Sequence, residues 1–270
     1  NAQTIYWPTS TETFQLKQLS FGKSPGGWFY AANNLSTPEH GGTHLDAPIH
    51  FAQARQTVDE IPLSRVIAPA VKVDVSSKVG ANRDYQITVD DFEAWEAQHG
   101  RIAEGSIVLL ETGFAKHWPD RAKYLGTEKR GPEGVAELHF PGLGAEAAVW
   151  LAENRKMAAI GIDTASIDFG QSQTFDTHVA LMTRNIPAFE NVANLSELDI
   201  YADVLDGGQT AGILKTGAGT LRLRGNNSYS GSTTVQYGTL EVTHANGLGT
   251  TGGHTYVQSG GSLKLTQVTI

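Results

Sequence analysis

Four side chains suited to metal binding or proton transfer fall within a segment of eleven residues. It reads His40-Gly41-Gly42-Thr43-His44-Leu45-Asp46-Ala47-Pro48-Ile49-His50. Imidazole and carboxylate groups serve as ligands for Zn²⁺ and Mn²⁺, and a chain without cysteine offers no thiolate for softer ions. The cluster predicts a site for a divalent cation, against the alternative that these are unrelated surface histidines.

The backbone around these side chains is predicted to change from a loop to an extended strand. Two glycines between the first two histidines disfavour a helix there, and Pro48 disfavours one further along. In an extended segment His44 and Asp46 project to the same side. Two imidazoles and one carboxylate then converge within a few residues.

Short β-branched runs alternate with helical patterns through the part of the chain that follows the cluster. The runs at Ala70–Val75, Ser106–Leu110 and Ala158–Ile162 have the length and composition of strands. Between them, Val89–His99 has acidic residues in its first turn, a threonine before it and a glycine after it. Ala145–Glu153 is alanine-rich and predicts a second helix. The alternation favours an α/β or α+β domain and leaves the strand order open.

Composition divides the chain into two parts. Residues 207–270 include 14 glycines and five charged residues, whereas residues 1–206 hold 43 charged residues and all five tryptophans. We therefore predict one domain at 1–206 and a second at 207–270. The first has 16 basic and 27 acidic residues, a net charge of −11, which argues against the basic face that nucleic-acid binding requires. No apolar run approaches the roughly 18 residues needed to span a bilayer.

The second part contains an internal repeat with alternating apolar residues. The copies begin at offsets of 19 and 23 residues, and they are Gly219-Thr220-Leu221-Arg222-Leu223, Gly238-Thr239-Leu240-Glu241-Val242 and Gly261-Ser262-Leu263-Lys264-Leu265. A period near 20 residues with strand-like alternation predicts a small all-β, solenoid-like segment. The stretch from Gly212 to Val242 resembles the β-strand repeat of bacterial autotransporter passenger domains.

The histidine cluster and several later segments resemble the cyclase family of metal-dependent hydrolases, which includes bacterial kynurenine formamidase and isatin hydrolase. The supporting segments are Tyr6-Trp7-Pro8, Gly161-Ile162-Asp163-Thr164-Ala165-Ser166-Ile167-Asp168, and Thr174 to Glu190 leading into Asn191-Val192-Ala193-Asn194-Leu195. The resemblance covers about residues 5 to 197, and it is nearer to the isatin-hydrolase branch. It implies an α/β fold with a mixed sheet flanked by helices.

The resemblance also implies roles for particular residues. Those in the first cluster are the metal ligands His40, His44 and Asp46 and the catalytic proton carrier His50. Further along, His178 and Glu190 stand twelve residues apart and either complete a second metal position or surround the substrate. The implied cofactor is one or two divalent ions, Mn²⁺ or Zn²⁺.

Aromatic residues near the cluster are candidates for the wall of a substrate pocket. The resemblance places Trp7 and Phe51 near the substrate, whereas Trp28 and Phe29 are candidates by their position ahead of the cluster alone. An apolar pocket would suit an aromatic amide. The alternative for each of the four is a place in the hydrophobic core.

Polar residues after the third predicted strand are candidates for orienting the metal ligands. Asp163, Ser166 and Asp168 stand where hydrogen bonds to ligands are expected. The alternative is turn formation, since aspartate and serine favour turns.

The resemblance implies an enzyme that opens a cyclic amide of an aromatic substrate, as in the conversion of isatin to isatinate. The alternatives are an arylformamidase that cleaves N-formylkynurenine and a non-catalytic surface passenger carrying a decayed hydrolase domain. The expected partner is a small aromatic amide, with no nucleic acid, no membrane span in this chain, and a homodimer left open. The hydrolase part implies a bacterial cytoplasmic location, and the repeat implies the periplasm or cell surface.

The ends of the first domain depart from the family pattern. Family members open with a strand ahead of the Trp-Pro element and close with strands after the segment Asn191 to Leu195. We expect the first strand to be missing from the domain at 1–206 or to lie upstream, and the closing strands to be absent from it. One alternative is that the strands around Ile213–Leu223 replace the missing ones, and the other is that the chain is a fusion or a fragment with a marginally stable catalytic domain.

Overall fold

A computed structural model describes residues 3–80, 82–197, 212–216, 220–266 and 268. The chain forms two compact units, Asn1–Ser196 and Glu197–Ile270, called here the N-terminal unit and the C-terminal unit. The boundary predicted after residue 206 lies outside the described residues. Within the described ranges, none of the helices has the length and apolar character needed to cross a membrane.

The N-terminal unit alternates strands and helices along the chain. Its strands are β1 (Gln15–Lys23), β2 (Phe29–Ser36), β3 (His44–Asp46), β4 (Ala70–Asp74), β5 (Gln86–Ile87), β6 (Ile107–Glu111), β7 (Gly142–Leu143), β8 (Ala159–Ile162) and β9 (Ala188–Glu190). Its α-helices are α1 (Leu63–Val66), α2 (Ser76–Val79), α3 (Val89–His99), α4 (Arg121–Leu125), α5 (Gly131–Ala136), α6 (Ala145–Asn154) and α7 (Asp176–Met182). Short 3-10 helices lie at Pro48–His50, Val58–Glu60, Phe114–His117 and Leu195–Glu197.

The main sheet has the strand order β3-β9-β8-β6-β4 among the described residues. Strands β4, β6, β8 and β9 run parallel, and β3 pairs antiparallel with β9. The central strands β6 and β8 are almost entirely buried, as expected for parallel strands covered on both faces. The predicted mixed α/β fold is confirmed.

Helix α3 has the bounds that its sequence predicts. Thr88 and Asp91 form a reciprocal capping box at its start, and Gly100 ends it with a φ of 88°. Its residue Phe92 is fully buried and stacks on Trp150 of α6 at 6.2 Å between ring centroids. The two helices thereby pack against each other over the core of the unit.

The polar side chains of the candidate site lie at one end of the main sheet, where its parallel strands terminate. Parallel strands end on the same side, so the residues that follow β6, β8 and β9 lie near one another. Because β3 is antiparallel to its neighbour, it begins where β9 ends, and His44 is the register partner of Glu190. The topology therefore brings together two segments more than 140 residues apart in sequence.

Strands β1 and β2 form a separate two-stranded hairpin, called here the arm (residues 15–36). The two strands pair antiparallel from Gln15 opposite Ser36 to Lys23 opposite Phe29, with one irregularity between Gln18 and Ser20. Neither strand joins any other described strand. The arm is exposed along nearly its whole length.

The C-terminal unit is all-β in its described part. Its strands are β10 (Ile213–Lys215), β11 (Thr220–Leu223), β12 (Thr233–Val242) and β13 (Thr255–Leu265), and β12 pairs in parallel with each of the others. The predicted repeat copies are in register, with Leu240 between Leu221 and Leu263. Glu241 forms ion pairs with Arg222 and Lys264 at 2.6 and 2.7 Å. Closure of these strands into a solenoid stays a prediction.

Candidate metal centre and adjoining pocket

The loop before β3 depends on its two glycines. A side chain at Gly41 would meet the ring of Tyr6, because an added Cβ would lie 2.2 Å from that ring. Gly42 has a φ of 69°, in the left-handed region that glycine adopts without strain. The chain turns here and enters β3 extended, as the sequence predicts, with His40 ahead of the turn and His44 after it.

Strands β3 and β9 bring three of the candidate ligands together. The Nε2 atom of His44 lies 3.2 Å from Asp46 Oδ1 and 3.7 Å from Glu190 Oε2. His40 approaches from the loop, with its Nδ1 atom 2.9 Å from Asp46 Oδ1. Asp46 and Glu190 are both buried, while the side chain of His40 remains 37% exposed. The cluster therefore opens to solvent on the side of His40.

Helix α7 supplies a third imidazole, that of His178. The Nε2 atom of His178 lies 3.2 Å from Glu190 Oε1 and 3.5 Å from Asp46 Oδ2. Its other ring nitrogen donates to Asp168 at 2.6 Å, and the same carboxylate accepts the backbone N–H groups of Thr177 and His178. Asp168 thus caps the first turn of α7 and fixes the ring of His178.

The hydrogen bonds of two histidines make the cluster suitable for a cation. The Nδ1 atom of His44 lies 2.8 Å from the carbonyl oxygen of Gly42, so it carries the ring proton, as does Nδ1 of His178 beside Asp168. In the neutral tautomers both Nε2 lone pairs face Asp46, whose two oxygens are buried. Lone pairs opposed to a carboxylate repel it, and a bound cation removes the repulsion.

The same atoms fall into compact sets of metal ligands. His44, Asp46 and Glu190 offer ligand atoms that all lie within 4.8 Å of one another, and so do His40, Asp46 and His50. Asp46 belongs to both sets. Neutral imidazoles with carboxylates are the donor types that Zn²⁺ and Mn²⁺ accept, so these residues fit a divalent ion.

The carboxylates and imidazoles of the cluster shift one another's pKa values. Contact with the Asp46 carboxylate raises the pKa of His40 against the opposing effect of burial. Burial lowers the pKa of His178, but its contacts with Asp168, Asp46 and Glu190 outweigh burial and raise this pKa well above its usual value. Burial raises the pKa of Asp46, but the surrounding histidines lower it far below its usual value. Metal binding is therefore expected to release protons.

His50 lies beside the candidate ligands, but its pKa is shifted in the opposite direction to those of His40 and His178. It ends the short helix Pro48–His50, and its ring packs on that of His40 with centroids 4.3 Å apart. Burial lowers the pKa of His50; the charge of Asp46 opposes this shift, but burial together with the neighbouring imidazoles keeps the pKa below its usual value. The group is therefore neutral near pH 7 and able to accept a proton.

A cavity of about 340 Å³ opens onto the cluster. Its aromatic wall includes Trp7, Phe51 and Phe175, and Phe175 lies 5.3 Å from Phe51 and 6.4 Å from Trp7 between ring centroids. His50 and His178 line the same cavity. Its volume lies at the lower end of the usual range for small-molecule sites.

Phe175 was not predicted from the sequence. It precedes α7 with a φ of 51°, a left-handed conformation that a bulky residue rarely adopts. The only sequence signal was its place within the segment Thr174 to Glu190, three residues ahead of His178.

The structure places the other sequence candidates as follows. Asp163 accepts hydrogen bonds from the Thr112 backbone and side chain and from the Gly113 backbone, and no described hydrogen bond joins it to a candidate ligand. Ser166 lines the cavity, and its hydroxyl accepts the N–H of Asp168 at 3.2 Å. Trp28 and Phe29, the two other candidates for the pocket, belong instead to the arm, where they are 64% and 59% exposed.

Comparison with known proteins identifies the family of the N-terminal part. The Cyclase family model matches residues 1–169, which is more than half of the chain. The chain belongs to the Cyclase family. A curated relative, the isatin hydrolase of Roseibium aggregatum, is 32% identical over 204 residues, which cover 73% of this chain and 74% of the relative. The kynurenine formamidase of Salinibacter ruber is 27% identical over 161 residues, which cover 59% of this chain and 63% of the relative.

Solved structures agree with this membership. A crystal structure of an isatin hydrolase bound to the product analogue thioisatinate superposes with a TM-score of 0.63 at 28% identity, over 73% of this chain and 78% of that chain. The predicted cyclase-like architecture is thereby confirmed, and the relatives identify this Cyclase-family member as a hydrolase.

The C-terminal part matches a different model. The Passenger-associated-transport-repeat matches residues 213–242, which span β10 to β12. The predicted autotransporter-type repeat is confirmed at this position.

Proposed function

We propose that this Cyclase-family protein is a divalent-metal-dependent amidohydrolase that opens the cyclic amide of a small aromatic substrate, as in the conversion of isatin to isatinate. The observation that carries the proposal is the cavity with Trp7, Phe51 and Phe175 on its wall, which opens onto a cluster of imidazoles and carboxylates. An aromatic ring fits such a wall, and an amide carbonyl then faces the polar end.

The ligand assignment follows the geometry of the cluster. In the proposal, the ligands of one or two ions, Mn²⁺ or Zn²⁺, are His40, His44, Asp46, His178 and Glu190. A divalent ion held there supplies Lewis acidity and lowers the pKa of water toward about 7. Asp168 orients His178, and the carbonyl of Gly42 orients His44, so both rings present Nε2 to the site.

His50 moves the proton in the proposed reaction. Its lowered pKa leaves it neutral, so it takes a proton from the water that adds to the amide carbon. The C–N bond of the amide then breaks, and His50 returns the proton to the leaving nitrogen. The products are an amine and a carboxylic acid in one molecule, since the amide is cyclic; the acid loses its remaining proton to solvent and becomes a carboxylate, and the histidine ends in its starting form.

Elemental analysis combined with a hydrolysis assay tests the proposal directly. Purified protein is analysed for Mn and Zn and then assayed on isatin by the absorbance change on ring opening. His50→Ala should keep the metal content and lower turnover by about a hundredfold or more, on the usual scale of acid-base catalysis. The control is His99→Ala, since His99 is exposed on α3 away from the cavity.

Three results would contradict the proposal. Unchanged turnover in His50→Ala would contradict the role of His50 as proton carrier. Failure of the wild-type protein to bind any divalent metal would favour a non-catalytic passenger carrying a decayed hydrolase domain. Faster hydrolysis of N-formylkynurenine than of isatin would favour an arylformamidase, a second candidate supported by the kynurenine formamidase relatives.

We also propose a location at the periplasm or cell surface. The repeat at residues 213–242 supports it, because this repeat is named for passenger transport. The alternative is the cytoplasm, which the hydrolase part implied. Fractionation of the source bacterium with an antibody against this chain would distinguish the two.

A further inference from the structure

The turn after β8 contributes a buried hydroxyl group to the cavity. Ser166 is 4% exposed and lines the cavity, as do the candidate ligands His178 and Glu190. The Oγ atom of Ser166 accepts the backbone N–H of Asp168 at 3.2 Å. A serine hydroxyl also has one proton to donate, and this proton has no acceptor within the part of the chain that the structure describes. The cavity therefore has a hydrogen-bond donor that is shielded from bulk solvent.

Hydrogen bonds on both sides of Ser166 hold its backbone beside the candidate ligands. The Oγ1 atom of Thr164 donates to the carbonyl oxygen of Ser166 at 2.8 Å. The next residue, Ile167, donates its backbone N–H to Glu190 Oε1 at 2.8 Å. The position of the Ser166 hydroxyl is therefore coupled to that of a carboxylate in the cluster, and ordering it for a ligand costs little entropy.

The other hydroxyl groups of the cavity are less suited to recognise a ligand. The hydroxyl of Tyr6 pairs with that of Thr37 at 2.8 Å, and Ser10 donates to a backbone carbonyl oxygen at 3.0 Å. Thr9 is exposed, so water competes for its hydrogen bonds. A buried donor without an acceptor costs free energy, whereas an exposed one bonds to water. Among these hydroxyl groups, that of Ser166 therefore discriminates best between ligands with and without an acceptor.

The proposed substrate has such an acceptor. In a ring of the isatin type, a ketone carbon is bonded both to the amide carbon and to the aromatic ring. When the aromatic ring lies against Trp7, Phe51 and Phe175 and the amide carbonyl faces the imidazoles and carboxylates, the ketone oxygen also lies at the polar end of the cavity. A formamide such as N-formylkynurenine has only hydrogen on its amide carbon and lacks this second oxygen.

We propose that Ser166 is a specificity-determining residue whose hydroxyl group donates a hydrogen bond to a ketone oxygen next to the scissile amide. The inference rests on the proposed function and narrows its substrate class to cyclic amides with an adjacent ketone. A hydrogen bond made equally before and during the reaction lowers KM and leaves kcat unchanged. The hydroxyl thus selects the substrate, while the cluster and His50 act on the amide.

A thermodynamic cycle across protein and ligand tests the proposal. The ligands are 2-aminophenylglyoxylate, the ring-opened product with the ketone, and 2-aminophenylacetate, which has a methylene group in its place. Calorimetric titration of the metal-loaded protein measures both affinities without turnover. Ser166→Ala should weaken binding of 2-aminophenylglyoxylate by about tenfold and that of 2-aminophenylacetate by less than about twofold, because it removes one hydrogen bond. In steady-state assays on isatin it should raise KM by about tenfold with little change in kcat.

Two further variants separate recognition from folding and from metal binding. Ser166→Cys keeps a side chain of similar shape with a weaker donor, so it should also lose preference for the ketone. The matched control is Thr164→Val, because the Thr164 hydroxyl is buried in the same turn but donates to the backbone. It should keep the wild-type preference. All three variants should keep the wild-type affinity for Mn²⁺ and Zn²⁺ in competition with a chelating dye.

Three results would overturn the inference. Equal weakening of both ligands in Ser166→Ala, with or without a loss of metal affinity, would assign to Ser166 a positioning role through Asp168 and His178. Unchanged binding of both ligands would mean that the hydroxyl contacts neither. Equal affinity of the wild type for the two ligands would mean that the cavity does not recognise the ketone.

The proposed function can fail separately from this inference. A ketone preference that is lost in Ser166→Ala, in a wild-type protein that does not hydrolyse isatin, would keep the recognition by Ser166 and refute the proposed reaction. Hydrolysis of isatin with unchanged KM in Ser166→Ala would keep the reaction and refute the role of Ser166.

Discussion

Replacement of Asp168 by asparagine should weaken metal binding without removing a ligand. Asp168 accepts the Nδ1–H of His178 at 2.6 Å and lies at 3% exposure, so solvent does not screen the interaction. Asparagine keeps an oxygen to accept the backbone N–H of Thr177 at the start of α7. The substitution therefore removes mainly the negative charge behind His178.

The size of the effect follows from the type of hydrogen bond. A hydrogen bond to a charged group contributes about 1.5–3 kcal/mol, and removal of the carboxylate also makes the imidazole a weaker ligand. A loss of this size corresponds to about a 10- to 100-fold fall in affinity for the ion that His178 binds. Turnover should fall in parallel at metal concentrations that do not saturate the variant, and excess metal should restore it.

Competition with a chelating dye, using Zn²⁺ and Mn²⁺ in turn, measures this affinity. Asp163→Asn is the matched control, because Asp163 is also a buried carboxylate at the end of a strand but hydrogen-bonds to Thr112 and Gly113. That variant should lose stability and keep its metal affinity. Equal metal affinity in Asp168→Asn and the wild type would refute the assignment of His178 as a ligand oriented by Asp168.

Two further predictions concern the cavity wall and the start of α3. Phe175→Ala should raise KM for an aromatic substrate by about tenfold with a smaller change in kcat, because it removes one ring that faces Phe51. An unchanged KM in steady-state assays would contradict this prediction. Burial raises the pKa of Asp91, but its contacts with Lys78, Tyr85 and Thr88 outweigh burial and lower it. Its stabilising contribution is therefore present above the unfolded pKa of about 3.9 and is lost as the pH falls through the lower pKa of the folded state. The free energy of unfolding in urea should therefore decrease less on acidification for Asp91→Asn than for the wild type.

The elements that could be predicted from the sequence are those set by local chemistry. Helix α3 begins and ends as predicted because its capping box and its terminal glycine act on neighbouring residues. Strand β3 is extended because the glycines before it and Pro48 after it remove the helical alternative. In both cases a few adjacent residues decide the backbone conformation.

The features that escaped prediction depend on contacts between distant residues. The pairing of His44 with Glu190 joins strands far apart in sequence, so periodicity alone could not find it. The role of His178 could be expected only from the family resemblance, and Phe175 reaches the cavity through an unusual backbone conformation. Phe29 was considered for the pocket because of its position, but the hairpin turns it to solvent.

The placement of Asp46 and Glu190 against the same two imidazoles has a consequence for the lifetime of the protein. Folding without metal buries two carboxylates in one small volume, and it does so at the edge of the sheet, where β3 has a single neighbouring strand. Since a ligand that binds only the folded state stabilises it by mass action, chains that acquire metal are expected to resist proteolysis longer than chains that do not. If these residues hold metal as proposed, the supply of metal is also a determinant of how much protein persists.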